Sequence, residues 1–552
     1  MKKILTIILF AALTAATLNA QTIRYVKQGG AGDGSSWANA SGSLQEMINA
    51  SAAGDEVWVD AGIYKPTHTT AGSNANPNNR NNTFLMKAGV KIYGGFGATE
   101  TSLAQRNLAG NKSILSGDID GNNTLDGGNA YRVVTVSGDM GNALLDGFTI
   151  TGGCEGSGAG INADGVMKFS NLIITGNRGG SGSGVCLSGA GSVFTNTVIA
   201  GNSAPGDAHG GGIYVGSGTH YMTNVTIVNN GAKYGGAIRV ASGTLNLRNS
   251  IIWGNSASVG IINANGTVNH SNNLLQGGTL GNGIVAILDP SLNSDYSLQV
   301  GSPAINMGDK TLYDAGKTPD ISGITTDISG NPRISECQVD LGAYEAPAAL
   351  TPTAEGRVYV KQGATGKGSS WDDAYPNLAY PLRMASICGI TEIFVAAGTY
   401  YPMYSPSTTA VRDKTFLMVA GVKIYGGFNA TLTGTTDAPP FFGSESRKGV
   451  SILSGDIDKD GVLNTGNVYR VVTVSGDMGN ALLDGFTVTE TYEGGGINAS
   501  GIMTFSNLII KNNRGGYGCQ GGGIYMSGAG STFTNIVIAD NSFSGDAAHG
   551  GG

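Results

Sequence analysis

Alternating carboxylates before a glycine form one candidate metal site in the sequence. Residues 456–461 read Asp-Ile-Asp-Lys-Asp-Gly, so Asp456, Asp458 and Asp460 stand two positions apart. Three hard oxygen ligands at this spacing can converge on one cation, and calcium-binding loops use the same pattern. The twelfth position of the loop is Asn467, where an EF-hand places a bidentate glutamate, so an EF-hand is not predicted. Two interpretations stay open, a Ca²⁺ site and a polar turn between coils.

A similar stretch occurs earlier in the chain. Residues 118–123 read Asp-Ile-Asp-Gly-Asn-Asn, which leaves Asp118 and Asp120 as a weaker set of ligands. The sequence predicts no required cofactor, and Ca²⁺ is the one ion that these two stretches suggest.

Arginines and aspartates that recur at a fixed spacing are the candidate catalytic groups. Glycan-cleaving enzymes need paired carboxylates, or a base beside an arginine. Asp-Gly before a strand, as at Asp146 and Asp484, is also a common turn, which is the competing interpretation. The candidates are Arg132, Asp139 and Asp146, with Arg470, Asp477 and Asp484 as their later equivalents.

The fold that must position these groups is indicated by a repeat that runs from residue 145 to residue 255. Four asparagines in it are spaced 25, 28 and 25 residues apart, each with a large apolar residue two positions before it and an isoleucine three positions after it. A fixed period in this range indicates stacked repeats. The asparagines are Asn171, Asn196, Asn224 and Asn249, followed six positions later by Asn177, Asn202, Asn230 and Asn255.

The repeat predicts a coil of strands. Its apolar segments are short, rich in Val, Ile, Phe and Thr, and bounded by glycine, which is 91 of 552 residues and disfavours helices. Stacked coils would pair each strand with the next, place the Phe and Ile columns inside, and form an asparagine ladder whose amides bond to the next rung. We therefore predict an all-β fold, a parallel β-helix of the common right-handed form.

Composition changes divide the first half of the chain. Residues 1–20 read as a secretory signal, with lysines before an apolar run and a small residue before the cut. Residues 21–300 are expected to form a first β-helix with an N-terminal cap, in which Ser43 and Glu46 match a helix capping box. Residues 301–346 read as an exit module that closes the coil stack, and residues 347–356 as a linker.

The plan then repeats in residues 357–552. Residues 469–487 are identical to residues 131–149 over nineteen positions, and the last residues, 549–552, match residues 209–212. In the first copy those residues open a new rung, so the second copy is expected to be incomplete at its C-terminus.

Charge and cysteine content narrow the functional classes. The net charge is −7 and only 13% of residues are charged, so no basic surface for nucleic acid is predicted. No stretch of the mature chain is expected to form a transmembrane helix. Cys154 and Cys186 either meet across neighbouring coils or are buried thiols, and the odd total of five leaves at least one cysteine unpaired in a monomer.

The chain resembles bacterial surface-exposed or secreted right-handed parallel β-helix proteins, with some similarity to the polymorphic outer-membrane proteins. The resemblance is carried by Gly-Ser-Ser-Trp37, Leu-Ser-Gly-Asp-Ile-Asp120, Leu-Leu-Asp-Gly-Phe-Thr149 and the Gly-Gly-Ala-Ile of residues 235–238. Residues 301–345 resemble the module that ends many such helices ahead of a variable anchor or sorting domain. The resemblance implies the cell surface, outer membrane or exterior of a Gram-negative-type bacterium.

Two functions from different classes follow. The first is a non-catalytic adhesin or scaffold that binds an extracellular glycan or a host or matrix protein. The alternative is a β-helix polysaccharide lyase or glycoside hydrolase that acts on an extracellular glycan, which rests on analogy of fold.

Overall fold

The computed structural model describes residues 21–543 apart from 74–75, 300–301, 336, 348–349, 407–409, 437 and 517–520. The predicted signal segment, Cys519 and His549 lie outside the described residues. Within them, no helix is both long enough and apolar enough to cross a bilayer.

The chain is an all-β protein that coils as a right-handed parallel β-helix, which confirms the predicted fold class. In its first part, short strands form stacks that run along the coil axis, and the strands within each stack pair in parallel. Because a side chain in one coil repeats in the next, each stack carries columns of similar residues.

The first stack contains Ile23–Val26, Glu56–Asp60, Lys91–Phe96, Asp139–Asp146, Val166–Ser170, Thr244–Arg248 and Thr267–Ser271. The second stack contains Gly62–Tyr64, Ser113–Ser116, Phe148–Thr151, Ile173–Thr175, Ile251–Trp253, Asn273–Leu275 and Ile284–Ala286. Two longer strands, Val193–Ala200 and Thr219–Val228, run through both stacks. The third stack contains Phe84–Leu85, Val134–Val136, Ile161–Ala163, Val185–Leu187, Ile213–Val215, Ile238–Val240 and Ile262–Ala264. A short fourth stack contains Ser203–His209, Gly231–Tyr234 and Ser256–Val259.

The second part of the chain forms the same kinds of stack. Its first stack contains Arg357–Val360, Glu392–Ala396, Lys423–Phe428 and Asp477–Asp484, and its second contains Gly398–Tyr400, Ser451–Ser454 and Phe486–Thr489. Ile502–Lys511 and Thr532–Ala539 run through both. The third contains Phe416–Leu417, Arg470–Val474, Gly495–Ala499 and Ile524–Met526, and Arg514–Gly515 pairs with Ser542–Phe543. The interpretation as tandem copies, with its domain boundaries, stays a prediction.

The asparagines of the repeat lie at the bend between the first and second stacks. Asn171, Asn196, Asn224 and Asn249 have φ angles of 52°, 47°, 55° and 47°. These values are in the left-handed region, which asparagine tolerates better than most residues. The Asn196 amide donates to Asn171 Oδ1 at 3.2 Å, and the Asn249 amide to Asn224 Oδ1 at 3.3 Å, so two of the three predicted steps of the ladder form. The Asn224 amide donates instead to Asp340 O and Gly342 O, which interrupts the ladder between Asn196 and Asn224.

A second, more regular asparagine ladder lies where the chain leaves the second stack. Asn177 donates to Asn202, Asn202 to Asn230, and Asn230 to Asn255, each from Nδ2 to Oδ1 at 3.0 Å. All four side chains are buried. The inner columns beside the ladders are apolar, and the rings of Phe169 and Phe194 stack with centroids 4.4 Å apart.

Few helices interrupt the coils. Helix Leu44–Ala50 begins after Ser43, whose side chain accepts a hydrogen bond from the Glu46 backbone amide, so the predicted cap helix forms. Among the described residues, the other helices are the α-helix Ala379–Cys388 and the 3₁₀ helices Leu103–Gln105, Lys310–Tyr313 and Val411–Asp413. Residues 66–82 are rich in Asn, Thr and Gly, which predicts a long external loop, and they contain an antiparallel hairpin of His68–Thr69 and Gly72–Ser73.

Residues 301–346, the predicted exit module, lie both at the end of the first part and along its side. Ala304 and Ile305 join a buried cluster that contains Leu274 of the first part and extends into the second part. The rest of the module runs back along the side of the stack, where it covers the first asparagine ladder. The Asn196 amide donates to Thr326 O at 2.7 Å, and the Asn224 amide donates to Asp340 O at the same distance. The side-chain amides of the ladder need hydrogen-bond acceptors, and the backbone carbonyls of the module supply them, which explains why the module lies beside the stack.

A disulfide links the exit module to the second part of the chain. Cys337 and Cys388 are bonded, and Cys388 is the last residue of helix Ala379–Cys388. Cys154 and Cys186 are free and buried, so the interpretation of these two as buried thiols holds and their pairing does not.

Candidate functional site

Asp146 lies at the bend that ends strand Asp139–Asp146, and both of its carboxylate oxygens are bonded. Arg106 Nη1 lies 2.6 Å from Oδ1, and the Asn171 amide donates to Oδ2 at 3.0 Å. The carboxylate is buried, and a buried charge is stable where it is paired and hydrogen-bonded. Asp146 is therefore the first rung of the asparagine ladder.

Asp484 has the same surroundings in the second part. Arg447 Nη2 lies 2.5 Å from Oδ2, and the Asn507 amide donates to Oδ1 at 2.6 Å. The guanidinium of Arg447 also donates to Gly426 O at 2.8 Å. Both side chains of the pair are buried, so this aspartate also anchors a ladder.

The remaining catalytic candidates lie apart from these two aspartates. Asp139 pairs with Val166 and Asp146 with Ser170, so about four strand residues, roughly 13 Å, separate the two carboxylates. Asp139 Oδ1 accepts a hydrogen bond from the Gly141 amide at 2.8 Å, which closes a turn. Asp139 and Asp146 are therefore not brought together.

The second part shows the same separation. Asp477 Oδ1 accepts from the Gly479 amide at 2.9 Å, and Arg470 is an exposed residue at the start of a third-stack strand. Its counterpart Arg132 donates from Nε to Ser157 O at 3.0 Å. Asp139 and Asp477 therefore close turns, and Arg132 contacts a neighbouring coil.

The arginines that pair with Asp146 and Asp484 are Arg106 and Arg447, which the sequence did not single out. Each lies in the loop that precedes an identical Ser-Ile-Leu-Ser-Gly-Asp-Ile-Asp segment, seven residues before Ser113 in one case and four before Ser451 in the other. An arginine before the same segment in both parts is a signal that the sequence contains. The different distances of Arg106 and Arg447 from that segment hide it.

The three aspartates of residues 456–460 do come together. One carboxylate oxygen from each of Asp456, Asp458 and Asp460 lies within 4.8 Å of the others. Asp456 is buried, whereas Asp458 and Asp460 are exposed. The Gly461 amide donates to Asp456 Oδ2 at 3.0 Å, and the Asn464 amide donates to Asp460 Oδ2 at 2.8 Å. These bonds fix the carboxylates of Asp456 and Asp460 within the loop.

The charge of this cluster is not balanced by a neighbouring side chain. Lys459 lies between the aspartates in sequence, but its Nζ is 4.9 Å from the ring centroid of Tyr401. In the part of the chain that the structure describes, none of the three aspartates forms an ion pair. A hydrogen bond to Asp456 and the negative charges of Asp460 and Asp456 raise the pKa of Asp458 above its usual value.

The donor set fits a hard divalent cation. Three carboxylates supply oxygen ligands of the kind that Ca²⁺ prefers, and their mutual repulsion would be relieved by the ion. Gly466 closes the loop against Asp458, and a Cβ atom at Gly466 would collide with that carboxylate. A larger residue at this position would displace the Asp458 side chain from its place beside its two neighbours.

The earlier loop has a different network. The Asp118 carboxylate accepts from the Gly121 amide at 3.0 Å and from the Asn123 amide at 3.2 Å. The Asn122 amide donates to Asp120 Oδ2 and to Asp126 Oδ2, each at 3.0 Å. A side-chain amide thus occupies the position of the third carboxylate, which agrees with the weaker set expected from the sequence.

A groove of about 540 Å³ lies where the exit module and the preceding residues 294–296 meet the second stack. Its walls include Lys112, Thr149, Ile173, Asp295, Tyr296 and Tyr344. Aromatic rings beside hydroxyl and charged groups are the surfaces on which sugar rings pack and form hydrogen bonds. This groove could not be predicted from the sequence, because its two walls are more than 100 residues apart.

Comparison with known proteins gives similarity of fold only. No family model and no curated protein matches the chain. Pectate lyase Pel9A is 13% identical, with 60% of this chain and 97% of that chain covered and a TM-score of 0.28. A mutant of the PL6 family alginate lyase AlyGC is 12% identical, with 89% and 63% covered and a TM-score of 0.19. AlyGC itself is 10% identical, with 95% and 80% covered and a TM-score of 0.16.

Proposed function

We propose that this protein is an exported, non-catalytic β-helix scaffold that binds an extracellular glycan. The groove between the second stack and the exit module carries the proposal, because it combines Tyr296 and Tyr344 with the charged groups of Lys112 and Asp295. A groove of about 540 Å³ has the size of a site for a short oligosaccharide. The proposed location is the surface or exterior of a Gram-negative-type bacterium, where an adhesin acts.

The non-catalytic part of the proposal rests on what the buried aspartates do. Asp146 and Asp484 are each paired with an arginine and bonded to a ladder asparagine. A carboxylate held in this way stabilises a bend, and both of its oxygens already have structural partners. A general acid or base needs a carboxyl that reaches the substrate.

Binding to a panel of polysaccharides tests the proposal. We expect the full chain to be retarded in affinity electrophoresis by at least one neutral or acidic glycan. Tyr296→Ala should weaken retardation, since it removes a half-buried ring from the groove wall. Phe441→Ala, which removes a far more exposed ring outside the groove, is the matched control.

The same incubations separate a binder from an enzyme. New reducing ends or unsaturated products would favour the alternative of a polysaccharide lyase or glycoside hydrolase. Binding without products supports the scaffold. Retardation that Tyr296→Ala and Phe441→Ala reduce equally would show that the groove is not the site.

We also propose that Asp456, Asp458 and Asp460 bind Ca²⁺ and that the ion stabilises the loop between the second and third stacks. The convergence of three carboxylates without a cationic partner among the described residues supports this proposal. In the earlier loop of Asp118 and Asp120, the Asn122 amide takes the place of the third carboxylate, so we expect no measurable Ca²⁺ binding there, and this loop serves as an internal control.

A further inference from the structure

A cavity of about 330 Å³ lies between the end of the first part of the chain and the beginning of the second. One wall comes from strand Ile284–Ala286, another from helix Ala379–Cys388, and a third from strand Phe416–Leu417 and its neighbours. Two of the lining residues, Leu280 and Leu417, are 40% and 38% exposed, so the cavity is open to solvent on their side. A small molecule can therefore enter it from outside.

The helix presents one face to this cavity. Four of its residues line the cavity at positions i, i+3, i+4 and i+7, a spacing that places them on one side of a helix. They are Ala379, Leu382, Arg383 and Ser386. The facing walls are mostly apolar, and they include the side chains of Val285, Ile287, Met307, Phe416 and Val419. Walls of this kind favour the burial of a hydrocarbon group.

Arg383 is the one charged side chain among the described residues that line the cavity. Its Nη2 donates to Pro303 O at 2.8 Å. Its Nη1 is buried and has no hydrogen-bond partner within the described part of the chain. The ion pairs between described residues do not include Arg383. A guanidinium in apolar surroundings is costly to bury without an anion, so this group has charge and donors left for a ligand.

Tyr404 lies against the same guanidinium and also lines the cavity. Arg383 Cζ is 4.6 Å from the centroid of the Tyr404 ring. This cation–π contact attracts the charge, but it satisfies none of the guanidinium N–H groups. Tyr404 Oη is likewise buried without a hydrogen-bond partner among the residues that the structure describes. Two neighbouring side chains thus each have a proton donor that lacks an acceptor.

We propose that this cavity binds a small amphiphilic carboxylate, with the carboxylate on Arg383 and Tyr404 and the hydrocarbon group among the apolar walls. A carboxylate has two oxygens and one negative charge, which match two unbonded donors and one guanidinium without an ion pair. Clefts of this size with mostly apolar walls and a few polar groups are typical of small-molecule sites. The described residues that line it are all different from those of the glycan groove, so the inference is independent of the proposed function.

Isothermal titration calorimetry of the full chain with octanoate at pH 7 tests the proposal. We expect saturable binding of one octanoate per chain, and octanamide, which has the same chain length but no charge, should bind about tenfold more weakly or less. Arg383→Met keeps the apolar stem and should weaken octanoate binding about tenfold or more, the order expected from losing a hydrogen bond to a charged group. Tyr404→Phe removes one hydroxyl and should weaken binding by less, about threefold.

Arg178→Met is the matched control, since Arg178 is exposed and does not line the cavity. It should leave octanoate binding unchanged. Thermal unfolding followed by circular dichroism checks that each variant is folded. If Arg383→Met does not fold, Tyr404→Phe and the comparison of octanoate with octanamide on wild type still decide. Absence of saturable binding, several weak sites per chain, equal affinities for octanoate and octanamide, or equal effects of Arg383→Met and Arg178→Met would each overturn the proposal.

Discussion

Arg333 and Glu345 form an ion pair at 2.9 Å inside the exit module, and each side chain is only 1% exposed. Arg333 Nη2 also donates to the backbone oxygens of Asp340 and Gly342, each at 3.0 Å. The pair joins two segments of the module, residues 327–333 and residues 339–345. The part of the module that covers the ladder depends on this contact.

Replacing Arg333 by methionine should destabilise the protein by about 3–5 kcal/mol, because it leaves the Glu345 carboxylate buried without its partner. Chemical denaturation followed by circular dichroism measures the loss. The double variant Arg333→Met/Glu345→Gln should recover part of the loss, since no charge remains buried. A double variant less stable than Arg333→Met would show that the pair contributes through something other than charge compensation.

The stability of Arg333→Met should also depend on pH. Burial raises the pKa of Glu345 well above its usual value, and Arg333 opposes that shift. A carboxyl whose folded pKa is raised stabilises the fold fully below its unfolded pKa of about 4.3 and loses this contribution as the pH rises through the folded pKa. Without Arg333 the loss should therefore be larger at pH 7 than at pH 4. Denaturation midpoints of both proteins at the two pH values test this.

The buried ladder should contribute far more than an exposed pair of the same chemistry. Asn202→Ala removes the amide that donates to Ile174 O at 2.9 Å and to Asn230 Oδ1 at 3.0 Å, and it should cost about 1–3 kcal/mol for each buried group left unsatisfied. The Asn269 amide also donates to an asparagine of the preceding rung, Asn246, at 3.0 Å, but it is exposed. Asn269→Ala should stay within about 0.5 kcal/mol of wild type. Equal losses would show that burial does not decide the strength of these bonds.

The repeat made much of this fold predictable. The spacing of Asn171, Asn196, Asn224 and Asn249 correctly predicted stacked coils and rung-to-rung bonds, because residues one coil apart become spatial neighbours. The cap helix was predictable from the local pattern after Ser43. Local periodicity and capping need only short stretches of sequence.

Contacts between distant, irregular segments were not predictable. The Asn196–Thr326 hydrogen bond spans 130 residues, and nothing in the sequence of the exit module has a period that indicates which side of the coil it covers. The Arg106–Asp146 pair was missed because the unequal spacing of Arg106 and Arg447 hides their common position, and Asp146 looked like a catalytic candidate as a result. Of the candidate site residues, only the three aspartates of one short loop could be placed together from sequence.

The Cys337–Cys388 disulfide should stabilise the protein by about 4 kcal/mol, the value of the chain-entropy model for a loop of 51 residues. Cys337→Ser should lower the denaturation midpoint, and a reductant should lower that of wild type but not that of the variant. Peptide mapping after alkylation without reductant checks the pairing. Cys154 and Cys186 should be alkylated only in denaturant, because both are buried, whereas Cys337 and Cys388 should need reductant. Alkylation of Cys388 in denaturant alone would contradict the pairing.

Calcium binding by Asp456, Asp458 and Asp460 can be tested against a matched loop in the same chain. Isothermal titration calorimetry of the full chain should detect one Ca²⁺ site that Asp458→Asn weakens about tenfold or more. A unit charge about 4 Å from a divalent ion contributes roughly 2 kcal/mol in water, which is more than a tenfold change in affinity. Asp120→Asn, the same change in the earlier loop, should leave the titration unchanged. Equal effects of the two substitutions would contradict the assignment.

The affinity should rise with pH, because a proton competes with the ion. The bond to Asp456 and the charge of Asp460 raise the pKa of Asp458, so this carboxyl keeps its proton to a higher pH than an isolated aspartate. Without Ca²⁺, the group stabilises the loop below its unfolded pKa of about 3.9 and loses that contribution as the pH rises through the folded pKa. With Ca²⁺, the same deprotonation creates a ligand, so the stability that the ion adds should increase over this pH range. Thermal midpoints with Ca²⁺ and with a chelator, measured from pH 4 to pH 7, should diverge for wild type and for Asp120→Asn, and much less for Asp458→Asn.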